Sequence, residues 1–203
     1  MGLFGRRNDT TDNTAAPTAV DPALAALTGE YTIDASHSRI GFTARHAMVT
    51  NVRGAFTDAE GTLKLDGSDP AASEAALTIR MASIDTGSDD RDNHLRSADF
   101  FDVEAFPEMT FRSTKAEQLG GEDYRITGDL TIKDVTRPVS IDLEFNGTAT
   151  DPFGNERVGF EGATTILRSD WGLTWNAALE AGGVLVSDKI KLNFDISAIK
   201  NAG

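Results

Sequence analysis

The sequence predicts an all-β protein in which eight antiparallel strands close into a barrel. From Tyr31 onward, apolar residues alternate with polar ones in one run after another, which is the period of half-buried strands. Stretches rich in Gly, Asp and Pro separate these runs and indicate short antiparallel connections. Closure is expected because an open sheet of this size would leave two unpaired edges.

Each predicted strand has one apolar and one polar face. A strand at Tyr31 and another through Phe56 to Leu65 bring the count to about eight. The apolar faces of the remaining strands carry Ile40, Phe42, Ala44, His46 and Met48; Leu77, Ile79 and Met81; Met109 and Phe111; Tyr124, Ile126, Leu130 and Ile132; Val139, Ile141, Leu143 and Phe145; Val158, Phe160, Thr164 and Ile166; and Ile190, Leu192, Phe194 and Ile196.

Turn-forming stretches lie between these strands. They are "DGSDP" at 66–70, "GG" at 120–121, "DPFGN" at 151–155 and "GG" at 182–183. The "NG" pair at 146–147 is a competing turn signal, although a strand can run through it.

The chain divides into a tail, residues 1–28, and a barrel domain, residues 29–203. Residues 1 to about 20 are poor in bulky apolar side chains, so we expect them to be mobile. In "DPALAAL", Asp21 suits a helix N-cap and Pro22 the first helical position. This stretch predicts a short helix that leads into the barrel and lies across one of its ends.

Composition excludes several partners and sites. The formal net charge of −13 repels phosphate backbones, so we expect no nucleic-acid partner. The chain has no cysteine, which rules out disulfides and thiolate metal sites. No apolar run has the length of a secretory signal or a membrane span, and we expect a cytoplasmic protein without integral membrane association. A monomer and a homodimer both stay open.

The three histidines, His37, His46 and His94, do not have the spacing of a metal site. The chain also lacks the G-x-S-x-G, phosphate-loop and H-E-x-x-H motifs. We therefore predict no metal, no cofactor and no catalytic residue. The plainer interpretation of His46 is a hydrogen-bonded histidine on a mostly apolar inward face.

The stretch "RDNHLRSADFFDVEAFPEMTF", from Arg91 to Phe111, is a long insertion that ends in aromatic residues. Long ordered insertions in compact barrels are commonly lids or binding loops, although the phenylalanines could equally be ordinary core. Arg168 shares the strand parity of Thr164 and Ile166. If it points inward, it needs a partner charge or an anionic ligand group.

Four blocks, in order, resemble the YceI-like family of polyisoprenoid-binding proteins: "DASHSRIGFTARHAMVTNVRGAF", "RDNHLRSADFFDVEAFPEMTF", "ITGDLTIKDVTRPVSI" and "RSDWGL". The resemblance covers about Gly29 to Lys200. It implies a lipocalin-like barrel whose hollow interior takes a long isoprenoid or related lipid chain, and it implies no established catalysis. Many family members carry a secretory signal, whereas this sequence begins with a polar tail.

We therefore expect a carrier for a long-chain isoprenoid or acyl lipid that performs no covalent chemistry. One alternative is a lipid-modifying enzyme that uses His46 or His94 as a general base. Another is a barrel filled by its own side chains that serves as a stress-response interaction module. The residues expected to form the wall or rim of the pocket are Phe42, His46, Arg91, His94, Leu95, Phe100, Phe101, Phe111, Ile132, Arg168 and Trp171.

Overall fold

The computed structural model describes residues 22–180 and 182–202. The tail predicted for residues 1 to about 20, together with the N-cap assigned to Asp21, lies outside these ranges. The helices are α1 (Pro22–Ala25) and α2 (Asp89–Arg96). The strands are β1 (Gly29–Ile33), β2 (Arg39–His46), β3 (Thr50–Phe56), β4 (Ala59–Leu65), β5 (Glu74–Arg80), β6 (Ile84–Asp85), β7 (Glu108–Gly120), β8 (Asp123–Ile132), β9 (Val135–Thr150), β10 (Glu156–Leu167) and β11 (Val186–Lys200).

Eight of these strands form the predicted closed antiparallel barrel. They pair in the order β1-β4-β5-β7-β8-β9-β10-β11, and β1 then pairs with β11 to complete the ring. In that closing pair Tyr31 faces Lys200 and Ile33 faces Ala198. Since every strand of the ring has two neighbours, the ring exposes no free edge.

The other three strands, β2, β3 and β6, extend the wall at one end. The long strand β11 pairs with β2 through its first part and with β1 through its last residues. A short 3₁₀ turn at Ala35–His37 separates β1 from β2. The predicted strand from Phe56 to Leu65 is likewise broken, because Thr57 leaves the ladder and donates its N–H to the Ser83 carbonyl.

Most turn predictions are confirmed. The "GG" at 120–121 connects β7 to β8, "DPFGN" connects β9 to β10, and "DGSDP" follows β4. Strand β9 runs through the "NG" pair, with Gly147 at a φ of 99°. The turn between β8 and β9 was not predicted: Lys133 and Asp134 both have positive φ, as a two-residue hairpin of type I′ requires.

The interior holds two packed clusters, one toward each end. The lid-end core lies beside the insertion that contains α2 and includes Ile84, Phe100, Met109, Ile132 and Trp171. The α1-end core lies beside α1, and it contains Leu27, Tyr31, Ile33, Phe145, Val158 and Ala198. The packed core of the barrel is therefore divided between its two ends.

An ion-pair network fastens the bend between β1 and β2 to the turn between β9 and β10. Arg157 at the start of β10 contacts Asp34 at 2.7 Å and Asp151 at 2.9 Å. Hydrogen bonds from Ser36 and then Arg157 hold the pKa of Asp34 well below its usual value. Asn155 first, and Arg157 with it, lower the pKa of Asp151. Both carboxylates are 13% exposed, so solvent screens them less than surface pairs.

Arg157→Gln should lower the melting temperature near neutral pH, and the deficit should shrink as the pH falls. A carboxyl group whose pKa is lower in the folded than in the unfolded state stabilises the fold at pH values above its unfolded pKa, which is about 4. This stabilisation is lost as the pH falls and the folded carboxylate becomes protonated. Thermal unfolding followed by circular dichroism at pH 7 and pH 3 measures both deficits. Arg45→Gln is the control, because Arg45 is exposed and its side chain contacts Asn51 instead of a carboxylate. An equal deficit at both pH values would mean that Arg157 acts through packing.

Candidate functional site

An apolar cavity of about 150 Å³ lies inside the barrel at the α1 end and is partly open to solvent. It forms because inward-facing residues from all eight ring strands leave space between the two cores. The strands supply Ile33, Leu63, Leu65, Leu77, Phe111, Tyr124, Ile126, Ile141, Leu143, Phe145, Phe160, Phe194 and Ile196 to its wall.

The segment around α1 covers the mouth of the cavity. Leu24 and Leu27 contribute their side chains to the lining. Gly67, in the loop after β4, lies directly against the Leu24 backbone. A Cβ at this position would come within 1.5 Å of the Leu24 carbonyl oxygen, so the close approach requires glycine.

Polar groups are confined to the rim of the cavity. Asp66, Ser73, Glu74 and Arg125 lie there. The Ser68 hydroxyl and nearby backbone N–H groups lower the pKa of Asp66, which keeps its carboxylate charged. Within the described part of the chain, no buried side-chain nitrogen or oxygen lacks a hydrogen-bond partner. The interior therefore suits an apolar molecule, and any charged group must stay at the rim.

The insertion closes the opposite end of the barrel, and polar contacts fix it there. Arg96 of α2 donates to the carbonyl oxygens of Ala82 (2.9 Å) and Ile84 (2.7 Å). Lys133, in the turn between β8 and β9, donates to the Phe100 carbonyl at 2.8 Å. Phe100 itself is buried. The lid predicted from the sequence is thus fastened to the barrel wall.

His94 lies in an aromatic cluster on this lid. Its Nε2 is 2.9 Å from an Asp99 carboxylate oxygen. The ring meets Phe100 and Trp175 edge-on, with centroid distances of 5.1 and 4.6 Å. His94 is thereby occupied by neighbours within the lid region, and it does not line the cavity.

Arg168 is buried, with only 6% of its surface exposed. Its guanidinium donates to the backbone carbonyls of Leu173 and Ser187. Burial lowers the pKa of Arg168, and Asp188 partly opposes that effect. Carbonyl oxygens thus take the place of the partner charge or anionic ligand that the sequence suggested.

Of the eleven side chains expected at the pocket, only Phe111 lines the cavity. The other apolar residues of this set pack in or against the lid-end core: Phe42, Leu95, Phe100, Phe101, Ile132 and Trp171. Arg91 is exposed and donates to the hydroxyl (2.7 Å) and carbonyl (2.9 Å) of Thr86. His46 is half-buried at the end of β2, opposite Val186.

Most residues of the cavity lining are absent from the predicted pocket, although the sequence predicts many of them on inward faces of strands. Leu143, Phe145, Phe160 and Phe194 all follow the predicted alternation. Alternation gives the face of a strand but not the depth of a residue along the barrel. A usable signal was the apolar content of "DPALAAL", which predicts a helix across one end.

No metal site is apparent within residues 22–180 and 182–202, since no three His, Asp or Glu side chains converge there. In the same ranges no helix has the length and hydropathy that crossing a membrane requires. The candidate functional site is the apolar cavity, because its wall is built from apolar side chains of the ring strands.

A closed antiparallel barrel with an apolar cavity at one end defines a lipocalin-like barrel. The family model described as "YceI-like domain" matches residues 31–198. This chain belongs to the YceI-like family.

Relatives from bacteria support this assignment. A UPF0312 protein of Pectobacterium atrosepticum is 40% identical over 154 residues, which cover 75% of this chain and 80% of the relative. A UPF0312 protein of Staphylococcus epidermidis is 39% identical over 170 residues, covering 83% and 95% of the two chains.

Solved structures share the fold. The Campylobacter jejuni YCEI protein superimposes with a TM-score of 0.68 at 33% identity, covering 77% of this chain and 90% of that one. Burkholderia cenocepacia BcnA gives 0.71 at 24% identity, covering 81% and 98%. A polyisoprenoid binding domain from Saccharophagus degradans gives 0.63 at 18% identity, covering 84% and 98%. The last two likenesses concern the fold alone.

Trp171→Phe should destabilise the protein by about 1–3 kcal/mol, because it removes a buried hydrogen bond and leaves a small void. Trp171 is 3% exposed and its indole N–H donates to the Leu130 carbonyl at 3.1 Å. Urea unfolding followed by circular dichroism measures the loss. Trp175→Phe is the matched control, since Trp175 is only partly buried. A loss at Trp171 no larger than at Trp175 would contradict a structural role for this hydrogen bond.

Proposed function

We propose that this protein binds a long apolar chain, that of a polyisoprenoid or a fatty-acyl lipid, inside the barrel and performs no covalent chemistry on it. The observation that carries the proposal is the cavity, whose wall is made of aliphatic and aromatic side chains from the ring strands. Such a wall attracts a ligand because binding buries apolar surface, and this attraction is not directional.

Two further facts support this ligand class. The chain belongs to the YceI-like family, and a structure with the same fold is described as a polyisoprenoid binding domain. Isoprenoid and acyl chains share the property that this wall recognises, a slender hydrocarbon without polar atoms. A headgroup would stay at the rim, near Asp66, Glu74 and Arg125.

The size of the cavity limits how a chain can fit. A cavity of about 150 Å³ suits a molecule the size of benzene, whereas sites for larger ligands span about 300–1,000 Å³. The end of a chain therefore fits the space as it stands, and a longer chain requires side chains to move. We assign contact with the end of a short chain to Phe111, and contact with a longer chain that reaches toward the lid end to Phe42, Leu95, Phe100, Phe101 and Ile132.

The alternatives from the sequence receive less support. His46 and His94 lie away from the cavity wall, so we propose no reaction there. A barrel filled by its own side chains would leave no room for any ligand. Titration with ligands of different length separates that possibility from the proposal.

We expect affinity for a series of straight-chain alcohols and prenols to increase with chain length and then level off. Each methylene that becomes buried contributes about 0.8 kcal/mol, which is about a fourfold gain in affinity. Isothermal titration calorimetry measures the series. An affinity that does not change with length would favour the filled barrel.

Ala75→Phe should weaken binding of every chain length, because it fills the cavity. Ala75 lines the cavity and pairs with Leu63 of β4. Thr62→Phe is the matched control, since Thr62 is exposed on the outer face of the same strand pair. Both variants are first checked for folding by circular dichroism. If a folded Ala75→Phe binds like the unmodified protein, the cavity is not the site.

Mass spectrometry of an organic extract of the native protein identifies the lipid and its headgroup.

A further inference from the structure

We infer that the chain of the ligand enters at the α1 end, and that the segment Leu24–Thr28 is a plug that the ligand displaces. This inference rests on the proposed function and adds which end of the barrel opens. The plug is part of this chain, and its leucines occupy apolar space that a ligand would otherwise fill.

The position of the plug is the first argument. Leu24 and Leu27 both line the cavity, together with the strand ends that surround its mouth. Leu27 is buried in the α1-end core, and Leu24 packs against the same core. In the absence of a ligand, these two side chains shield the apolar wall from water. The plug and the ligand therefore compete for the same surface.

The weak attachment of the plug is the second argument. Helix α1 has four residues, too few to be stable without tertiary contacts. Hydrogen bonds to the barrel involve only the end of the plug next to β1: Lys200 to the Ala26 carbonyl (3.1 Å), the Tyr31 hydroxyl to the Leu27 carbonyl (2.8 Å), and the Gly67 N–H to the Thr28 hydroxyl (3.1 Å). Leu24 is held by packing and by the bond from the Leu27 N–H within the turn.

The opposite end offers no comparable route. Arg96 and Lys133 fasten the insertion with three charge-assisted hydrogen bonds to carbonyls, whereas the plug has one, from Lys200. Such bonds are stronger than neutral hydrogen bonds. Ile84, directly beneath, is completely buried. Opening this end would break charge-assisted bonds and expose the lid-end core. Displacing the plug exposes two leucines, and the entering chain covers the surface that they leave.

The size of the cavity gives the third argument. With the plug in place, the space accepts a benzene-sized molecule, so burying a long chain requires more room, which movement of Leu24 and Leu27 would provide. Association of a long chain should then be limited by displacement of the plug. A smaller side chain at position 24 lowers this barrier.

Stopped-flow fluorescence with parinaric acid, a fluorescent long-chain fatty acid, tests the inference. Leu24→Ala should increase the association rate constant severalfold. Lys133→Met, which removes a contact that fastens the opposite end, should leave the rate unchanged. The reverse result, a faster Lys133→Met and an unchanged Leu24→Ala, would place the entrance at the lid end and overturn the inference.

Hydrogen exchange on the unmodified protein provides a second measurement that needs no variant. On saturation with parinaric acid, the amides of residues 24–28 should exchange faster, whereas those of α2 should not. Unchanged exchange at residues 24–28 despite saturable binding would overturn the plug and leave the proposed function intact. If parinaric acid binds to none of the proteins and straight-chain alcohols do not bind either, the proposed function fails and the plug fails with it.

Discussion

Closure of the ring by β1 and β11 is the constraint on which the rest of the structure depends. The first and last strands of the domain meet here, with Tyr31 opposite Lys200. Without this pairing, β1 and β11 would each present free backbone groups, and the inward side chains would face water on one side. With it, one sheet encloses a volume that its own side chains do not fill completely. The cavity is a consequence of closure and is not a separate element.

The two ends of the barrel are closed by different physical means. At the lid end, Arg96 and Lys133 hold the insertion through backbone carbonyls, over a core in which Ile84 is completely buried. At the α1 end, apolar packing of Leu24 and Leu27 covers the mouth, and a single charged hydrogen bond, from Lys200 to the Ala26 carbonyl, supplements it. Charged hydrogen bonds have a fixed geometry, whereas apolar contacts can be exchanged for others of the same kind. This difference makes the α1 end the one at which a hydrocarbon can replace protein.

The same asymmetry explains the type of selectivity that the proposed function implies. The wall offers hydrocarbon contact, and the buried Arg168 is already bonded to the carbonyls of Leu173 and Ser187. The barrel interior therefore selects ligands by length and shape, because it presents no free charge to them. Groups that can distinguish a polar head, such as Asp66 and Arg125, lie only at the rim.

The sequence by itself determined most strands, most of their turns, and the face on which most apolar residues lie, although Met48, predicted on an inward face, lies beyond β2 and is exposed. These properties depend on neighbours within a few positions, and a period of two records them directly in the alternation from Tyr31 to Ile196. Only the tertiary structure decided that Phe111 borders both the cavity and the lid-end core, whereas Phe100 and Trp171 lie in that core without lining the cavity. The partners of Arg168 and the contact of Leu24 with Gly67 were also decided there. The physical reason is that depth within a barrel depends on strand stagger and on contacts between distant positions, which alternation along one strand does not encode.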